Sequence, residues 1–185
     1  AGNFASLKAA GEQYGFEVSS IQTILEDGER ISSSALRTAL ANGDMKLAEK
    51  LLGRPYGISG HVIHGQQLGR KLGFPTLNLA VANHLHHRKP ATTGIFTAQV
   101  LGLDEKPLAA VASLGVRPTV EDQGRVLLET HIFDYDQDVY GKIITVELLE
   151  KIRDEAKYDD LDTLTKAIAS DAAHARNYFL KKAYV

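Results

Sequence analysis

The sequence predicts a mainly β domain, an antiparallel sheet or small barrel, that ends in one long helix. Five strand-like runs separated by Gly, Pro and Asn or Asp lie in the middle of the chain, at residues 58–63, 95–103, 108–114, 126–133 and 142–149. No long amphipathic helix falls between them, as the crossovers of a parallel sheet would require. The end of the chain instead carries apolar residues at helical spacing.

The first part of the chain has helical patterning. Apolar residues at helical spacing predict a helix that ends at Gly15, and the apolar run at 16–18 could be a short strand. Ser32–Ser34 supply N-cap hydroxyls for a second helix. Asp44 would cap a third helix that ends at Gly53. Each helix is short and needs something to pack against.

The change of patterning near Gly53 predicts two domains. Residues 1–53 form a short α-rich domain, and residues 54–185 form the β domain with its C-terminal helix. Asp160 or Asp162 would cap that helix. Its apolar stripe consists of Leu161, Leu164, Ile168, Ala172, Ala175 and Phe179.

Composition excludes several classes of protein. The 185 residues are 44% hydrophobic and 24% charged, and 21 basic against 23 acidic residues leave a net charge of −2, so nothing points to nucleic acid or to an anionic membrane surface. There is no cysteine and therefore no disulfide or thiolate metal site. Neither a membrane-spanning stretch nor a signal peptide is apparent. We expect a cytoplasmic monomer, and we interpret the chain, which lacks an initiator Met, as a processed protein or a fragment.

The most unusual stretch lies between residues 65 and 78. Three glycines four residues apart would let the backbone approach a ligand, two cations lie between them, and a hydroxyl and an amide follow a proline. Such groups suit a polyphosphate and Mg²⁺. A solvated hairpin would show the same glycines, and the spacing is not that of a Walker loop. The candidate residues are Gly65, Gly69, Arg70, Lys71, Gly73, Phe74, Pro75, Thr76 and Asn78.

A second candidate site lies on the predicted strand at 126–133. Because alternate residues of a strand share a face, Glu129 and His131 lie together among apolar neighbours. A carboxylate on such a face is costly unless it is paired or functional. The alternative is an outward face with both side chains in water and Leu128 and Ile132 inside. The residues by themselves leave both interpretations open.

Two further segments offer weaker indications of function. His84, His86 and His87 could bind a metal adventitiously, but an exposed polar loop explains them equally well. The loop that contains Tyr135 and Tyr140 could place its aromatic rings over a ring system.

Five motifs occur in a fixed order along the chain. They are Gly65-x3-Gly69-Arg70-x-Leu72-Gly73-Phe74-Pro75-Thr76-x-Asn78-Leu79, Ser113-Leu-Gly115-x-Arg117-Pro118-Thr119, Glu129-Thr-His131-Ile-Phe-Asp, Val139-Tyr140-Gly141 and Ile152-Arg153-Asp-Glu-x-Lys157-Tyr158. In order and spacing they resemble the signature of riboflavin kinases. Residues 31–44 resemble the end of the adenylyltransferase module of bacterial bifunctional riboflavin kinase/FAD synthetases.

The resemblance implies a fold and a chemistry. The family fold is a small Greek-key β-barrel with a C-terminal helix. By resemblance, Thr76 would be a Mg²⁺ ligand and Asn78 a contact on the phosphate side of ATP, with the glycine loop covering the nucleotide. Glu129 would take the proton of the riboflavin 5′-hydroxyl with His131 beside it. The segment from Arg153 to Tyr158 and the last helix would close on the flavin.

The resemblance also implies the products. Riboflavin and ATP would give FMN and ADP. The adenylyltransferase motif, a His-x-Gly-His loop, does not occur in this chain, so we expect no FAD synthesis. Position 77 is Leu where the family commonly has Ala. Two other interpretations are a non-catalytic flavin- or nucleotide-binding barrel and a small barrel that binds RNA or protein.

Overall fold

The computed structural model describes residues 3–19, 25–26, 29–65, 68–80, 90–116 and 126–183, with only the backbone at 25–26 and 29–30. Contacts divide the chain into two compact units, Ala1–Ser32 and Ser33–Val185. This division falls before the predicted boundary at Gly53. The assignment of residues 1–53 and 54–185 to separate domains stays a prediction, because these units reflect only which residues pack together.

Among its described residues, the first unit contains one helix and a two-stranded sheet. Helix α1 (Phe4–Tyr14) is capped by Asn3 and ends at Gly15 in the left-handed conformation. Strands β1 (Leu25–Glu26) and β2 (Glu29–Arg30) pair antiparallel. The strand predicted at 16–18 is wrong: the Phe16 N–H donates to the Gly11 carbonyl at 3.1 Å, so this segment closes the helix instead of pairing in a sheet.

The second unit begins with two short helices, as predicted. Helix α2 (Ser33–Ala41) leads to α3 (Met45–Leu52), which Asp44 caps by accepting from the Leu47 N–H at 3.0 Å. Ala39, Leu40, Met45 and Ala48 are buried in the same core cluster as the barrel strands. The helices are therefore stabilised by packing on the barrel.

Six strands close into an antiparallel barrel, which confirms the predicted fold class. Around the barrel the order is β3-β4-β7-β6-β5-β8, so β7 and β6 lie between the consecutive strands β4 and β5. The strands are β3 (Tyr56–Ile63), β4 (Leu77–Ala80), β5 (Gly94–Leu101), β6 (Leu108–Val116), β7 (Val126–Ile132) and β8 (Ile143–Arg153).

The strand β4 was not predicted, and β8 continues to Arg153, beyond the predicted end at 149. Four residues directly after a Pro-Thr pair are too few for a recognisable alternation, and Leu77, Asn78 and Leu79 are all buried. Between β3 and β4 a single helical turn, α4 (Leu68–Lys71), lies in what the sequence suggests is a loop.

The C-terminal helix α5 (Leu161–Ala183) packs on the outside of the barrel. Asp160 is its cap, since the Thr163 N–H donates to its carboxylate at 2.7 Å. Ala172 and Ala175 are buried with Val111 and Phe133 in a second, smaller cluster. Leu161, the first residue of the predicted stripe, is instead 59% exposed, because it lies in the first turn of the helix.

Candidate active site

A row of mutually paired residues crosses the outer face of the barrel. Direct cross-strand partners project from the same face of a sheet. Strand by strand, the row consists of Asn78, Glu129, Ser113, Ile95 and Arg153. It therefore places an amide, a carboxylate, a hydroxyl and a guanidinium along one side of the molecule. On β7 the inward side is apolar, with Leu128, Thr130 and Ile132 buried.

A cavity of about 260 Å³, here called cavity I, lies against this row. The turn at 68–76, the strands β5 to β7, the segment 153–158 and α5 enclose it. Its apolar lining includes Leu72, Phe74, Ile95, Val111, Leu164 and Ile168, and its polar lining is Thr76, Ser113, Glu129, His131, Arg153, Glu155, Tyr158 and Asp171. Glu129 and His131 thus do face outward, but into a mainly apolar cavity rather than into bulk water.

A second cavity of about 580 Å³, cavity II, lies on the other side of the same turn. It is lined by Arg70, Pro75 and Thr76, by the loop that follows β7, and by four barrel residues, Val62, Leu77, Thr130 and Ile132. Thr76 therefore borders both cavities. The two cavities therefore adjoin at this residue.

The glycine-rich turn is shaped by contacts within the protein. Helix α4 ends in a Schellman-type cap, in which the Phe74 N–H donates to the Gly69 carbonyl at 2.8 Å and Gly73 takes a φ of 85°. A Cβ at Gly69 would overlap the Phe74 carbonyl and lie 3.3 Å from the Thr76 hydroxyl. A Cβ at Gly65 would overlap the Asn78 amide. Contacts or backbone conformation within the protein thus explain why glycine occupies all three positions, which the sequence does not reveal.

His131 anchors the end of this turn. Its Nδ1–H donates to the Pro75 carbonyl oxygen at 2.8 Å. Its ring makes edge contacts with Phe74 and Phe133, each with 5.7 Å between ring centroids. The contacts of His131 therefore position Thr76, which follows Pro75 directly.

Arg153 lines cavity I, but its guanidinium is engaged by the protein itself. Its Nε and Nη2 donate to the two carboxylate oxygens of Asp171, at 2.9 and 2.6 Å. This ion pair raises the pKa of Arg153. Asp171 was not predicted from the sequence, although its position offers a clue. It lies three positions after Ile168 and four before Ala175, so it falls on the apolar face of the predicted helix, where an acidic residue is unexpected.

Glu155 is a second carboxyl group of cavity I that was not predicted individually. Burial raises its pKa above the ordinary value for glutamate. Its carboxylate lies directly against Gly115, where any side chain would overlap it. The two motifs that contain Gly115 and Glu155 therefore meet in the wall of the cavity.

Cavity II combines a cation with aromatic rings. The Tyr140 ring is stacked on the His64 ring, with 3.7 Å between centroids. The backbone N–H of Tyr140 donates to the Asp138 carboxylate at 3.1 Å. Among the described residues, no hydrogen-bond partner reaches the buried Tyr135 hydroxyl. Burial raises the pKa of Tyr135, and the charges of Asp104 and Asp136 add to this effect. Both tyrosines line the cavity, and the coverage of a ring system by their aromatic rings stays a prediction.

Comparison with known proteins identifies the family. Residues 52–179 match the family model for riboflavin kinase, the flavokinase family. The chain belongs to the riboflavin kinase family. The resemblance found in the five motifs is confirmed.

The names of curated relatives also include riboflavin kinase. The bifunctional riboflavin kinase/FMN adenylyltransferase of Escherichia coli strain K12 is 47% identical over 96% of this chain. That of Haemophilus influenzae is 43% identical over 96% of this chain. The aligned part is 55% and 56% of these relatives, so the chain spans about half of their length.

A crystal structure described as a macrolide-efflux protein from Streptococcus pneumoniae is also similar. It is 32% identical with a TM-score of 0.73, over 95% of this chain and 55% of that one. None of the helices in the described part of our chain is long and apolar enough to cross a membrane.

The riboflavin kinase fold brings most predicted site residues to the two cavities. Those at the cavities are Gly69, Arg70, Phe74, Pro75, Thr76, Glu129, His131, Arg153 and Tyr158. Gly65, Lys71, Gly73 and Asn78 line neither cavity. Asn78 is only 5% exposed, beneath Gly65. Arg117–Thr119 and the histidines at 84, 86 and 87 lie outside the described residues.

Proposed function

We propose that this chain is an ATP:riboflavin 5′-phosphotransferase that forms FMN and ADP. The observation that carries the proposal is the position of Thr76, which borders an apolar cavity with Glu129 on one side and a cavity with Arg70 on the other. Transfer of a phosphoryl group requires an acceptor and a donor whose reacting ends meet at one point. The turn at Pro75–Thr76 supplies that point.

Cavity I suits riboflavin. A flat, mainly apolar ring system fits between Phe74, Ile95 and Ile168, and a few polar groups at the margins would fix its orientation. The ribityl chain would run toward Glu129 and Thr76. The 5′-hydroxyl would then lie within reach of the Glu129 carboxylate.

Cavity II suits ATP. Arg70 offers a cation to the phosphates, and Tyr140, backed by His64, offers an aromatic face. A purine nucleotide could use both kinds of group.

Magnesium fits this arrangement through oxygen donors. In the described part of the chain, no group of three or more His, Asp or Glu side chains could hold a metal ion. Mg²⁺ is commonly held by few protein ligands and takes the rest from substrate phosphates and water. The Thr76 hydroxyl would hold it, and the Asn78 amide lies across the strands from Glu129. The bound ion would neutralise charge on the phosphates.

Glu129 would act as the base. Its carboxylate accepts the proton of the riboflavin 5′-hydroxyl while the hydroxyl oxygen forms a bond to the γ-phosphorus. The bond from that phosphorus to the β–γ bridging oxygen breaks, and ADP leaves with the electron pair. The nucleophile needs positioning more than strong activation, because the transition state is loose. We also propose that the protein is a cytoplasmic monomer.

Product analysis tests the activity. With riboflavin, ATP and Mg²⁺, we expect FMN and ADP to appear in equal amounts, measured by chromatography of flavins and nucleotides. With FMN in place of riboflavin, we expect no FAD, because the chain has no His-x-Gly-His run. A non-catalytic barrel would bind riboflavin without releasing ADP, and a barrel for RNA or protein would bind neither substrate. FAD forming as fast as FMN would overturn our interpretation of the products.

Replacing Thr76 with Ala tests the proposed metal ligand. We expect the Mg²⁺-dependent gain in ADP affinity to fall by about tenfold, the order for losing one bond to a charged partner. Calorimetric titration of ADP with and without Mg²⁺ measures this gain. Thr76→Ser keeps the hydroxyl and should retain it. An unchanged gain in Thr76→Ala would exclude this residue as the ligand.

A further inference from the structure

Asp171 is a buried carboxylate that the proposed reaction does not use. It lies midway along α5, is 6% exposed and borders cavity I. Both of its oxygens accept from Arg153, so the carboxylate is paired with a side chain of the protein itself. A buried charge is costly unless it is paired and hydrogen-bonded, and this pair satisfies both conditions. The question is what the pair does for the cavity.

The guanidinium of Arg153 joins three parts of the cavity wall. Two of its nitrogens bind Asp171 on α5, and Nη1 donates to the Asp154 carbonyl at 2.9 Å. Its Cζ lies 5.8 Å from the centre of the Tyr158 ring. Arg153 therefore connects the last helix with the start of the segment 154–158 and with its aromatic residue.

We propose that Asp171 is a positioning residue for riboflavin, which acts through Arg153 to hold α5 and the segment 154–158 together as one wall of cavity I. The inference rests on the proposed function for the identity of the ligand. With the Asp171 charge removed, Arg153 loses the partner that orients it. The guanidinium is then free to turn toward the cavity, and the segment 154–158 loses its tie to α5.

The position of the pair predicts which substrate is affected. Asp171 and Arg153 line cavity I, and neither lines cavity II. A change at Asp171 should therefore weaken riboflavin binding and leave ATP binding unchanged. A general loss of stability would affect both substrates.

The chain offers a matched control. Arg176, also on α5, donates from both Nη1 and Nη2 to the Asp134 carboxylate, at 2.8 and 2.9 Å. This pair is also bidentate, although Arg176 uses Nη1 and Nη2 where Arg153 uses Nε and Nη2. Its side chains are 47% and 78% exposed, however, and neither residue lines either cavity.

The experiment compares Asp171→Asn, Arg153→Gln, the double variant and Asp134→Asn in the full chain. Riboflavin affinity is measured by quenching of flavin fluorescence, and the KM values for riboflavin and ATP are measured separately. We expect Asp171→Asn to weaken riboflavin binding by about tenfold, with the KM for ATP within about twofold of wild type. The double variant should be no weaker than Arg153→Gln, because Asp171 acts through Arg153. Asp134→Asn should match wild type for both substrates.

Several outcomes would overturn the inference. These are unchanged riboflavin affinity in Asp171→Asn, an equal rise in both KM values, or additive losses in the double variant. Should Asp171→Asn fail to fold, Arg153→Lys replaces it: the variant keeps the charge, loses the bidentate fork and should weaken riboflavin binding alone. Fluorescence quenching needs no turnover, so a wild-type chain that binds riboflavin but forms no FMN would refute the proposed function without touching this inference.

Discussion

Replacing Glu129 with Gln is expected to lower kcat by about 10²–10⁴-fold, the range for removing a general base. The amide keeps the shape of the side chain, so riboflavin should still enter cavity I, and its KM should change by less than about threefold. The physical reason is that an amide cannot take the proton of the 5′-hydroxyl. Steady-state kinetics with saturating ATP and Mg²⁺ measures both constants.

The control for this variant is Glu147→Gln. Glu147 is also a strand glutamate, on β8, and accepts from the Gln99 side chain at 2.6 Å. It lines neither cavity. Its replacement should leave kcat unchanged. A change of less than about threefold in the kcat of Glu129→Gln would remove the base from the mechanism and favour a non-catalytic barrel.

Replacing Gly69 with Ala is expected to lower kcat/KM for both substrates by about 10²-fold, the cost of misplacing reacting groups by about 1 Å. The new Cβ would overlap the Phe74 carbonyl oxygen and crowd the Thr76 side chain, with its Cγ2 at 3.4 Å. The turn must shift to relieve the overlap. Because Thr76 borders both cavities, the shift should affect riboflavin and ATP together.

The control for Gly69→Ala is Gly53→Ala. Gly53 ends α3 at a φ of 69°, and a Cβ there would meet no atom within 4 Å. An alanine at this position is strained in the left-handed conformation and should lower the thermal midpoint without changing either KM. If Gly69→Ala keeps wild-type kinetics, the turn does not position the reacting groups.

Local patterns in the sequence predict the strands because they depend on neighbouring residues. Strand-like runs bounded by Gly, Pro, Asn or Asp are sufficient to identify β3 and β5 to β8, and a stripe at helical spacing identifies α5. Alternation along β7 places Glu129 and His131 on one face. This alternation does not determine whether the face meets water. The exposure of the face depends on α5 and the turn at 68–76, which cover it and create cavity I.

The sequence by itself determined the class of fold, the shared face of Glu129 and His131, and the motifs that identify the riboflavin kinase family. Only the tertiary structure decided which residues meet. Cross-strand register aligned Asn78, Glu129 and Arg153 in one row, and helix packing placed Asp171 on Arg153. The physical reason is distance along the chain. Propensity and periodicity act over a few residues, whereas register, closure of the barrel and burial of an ion pair arise only when distant segments pack together.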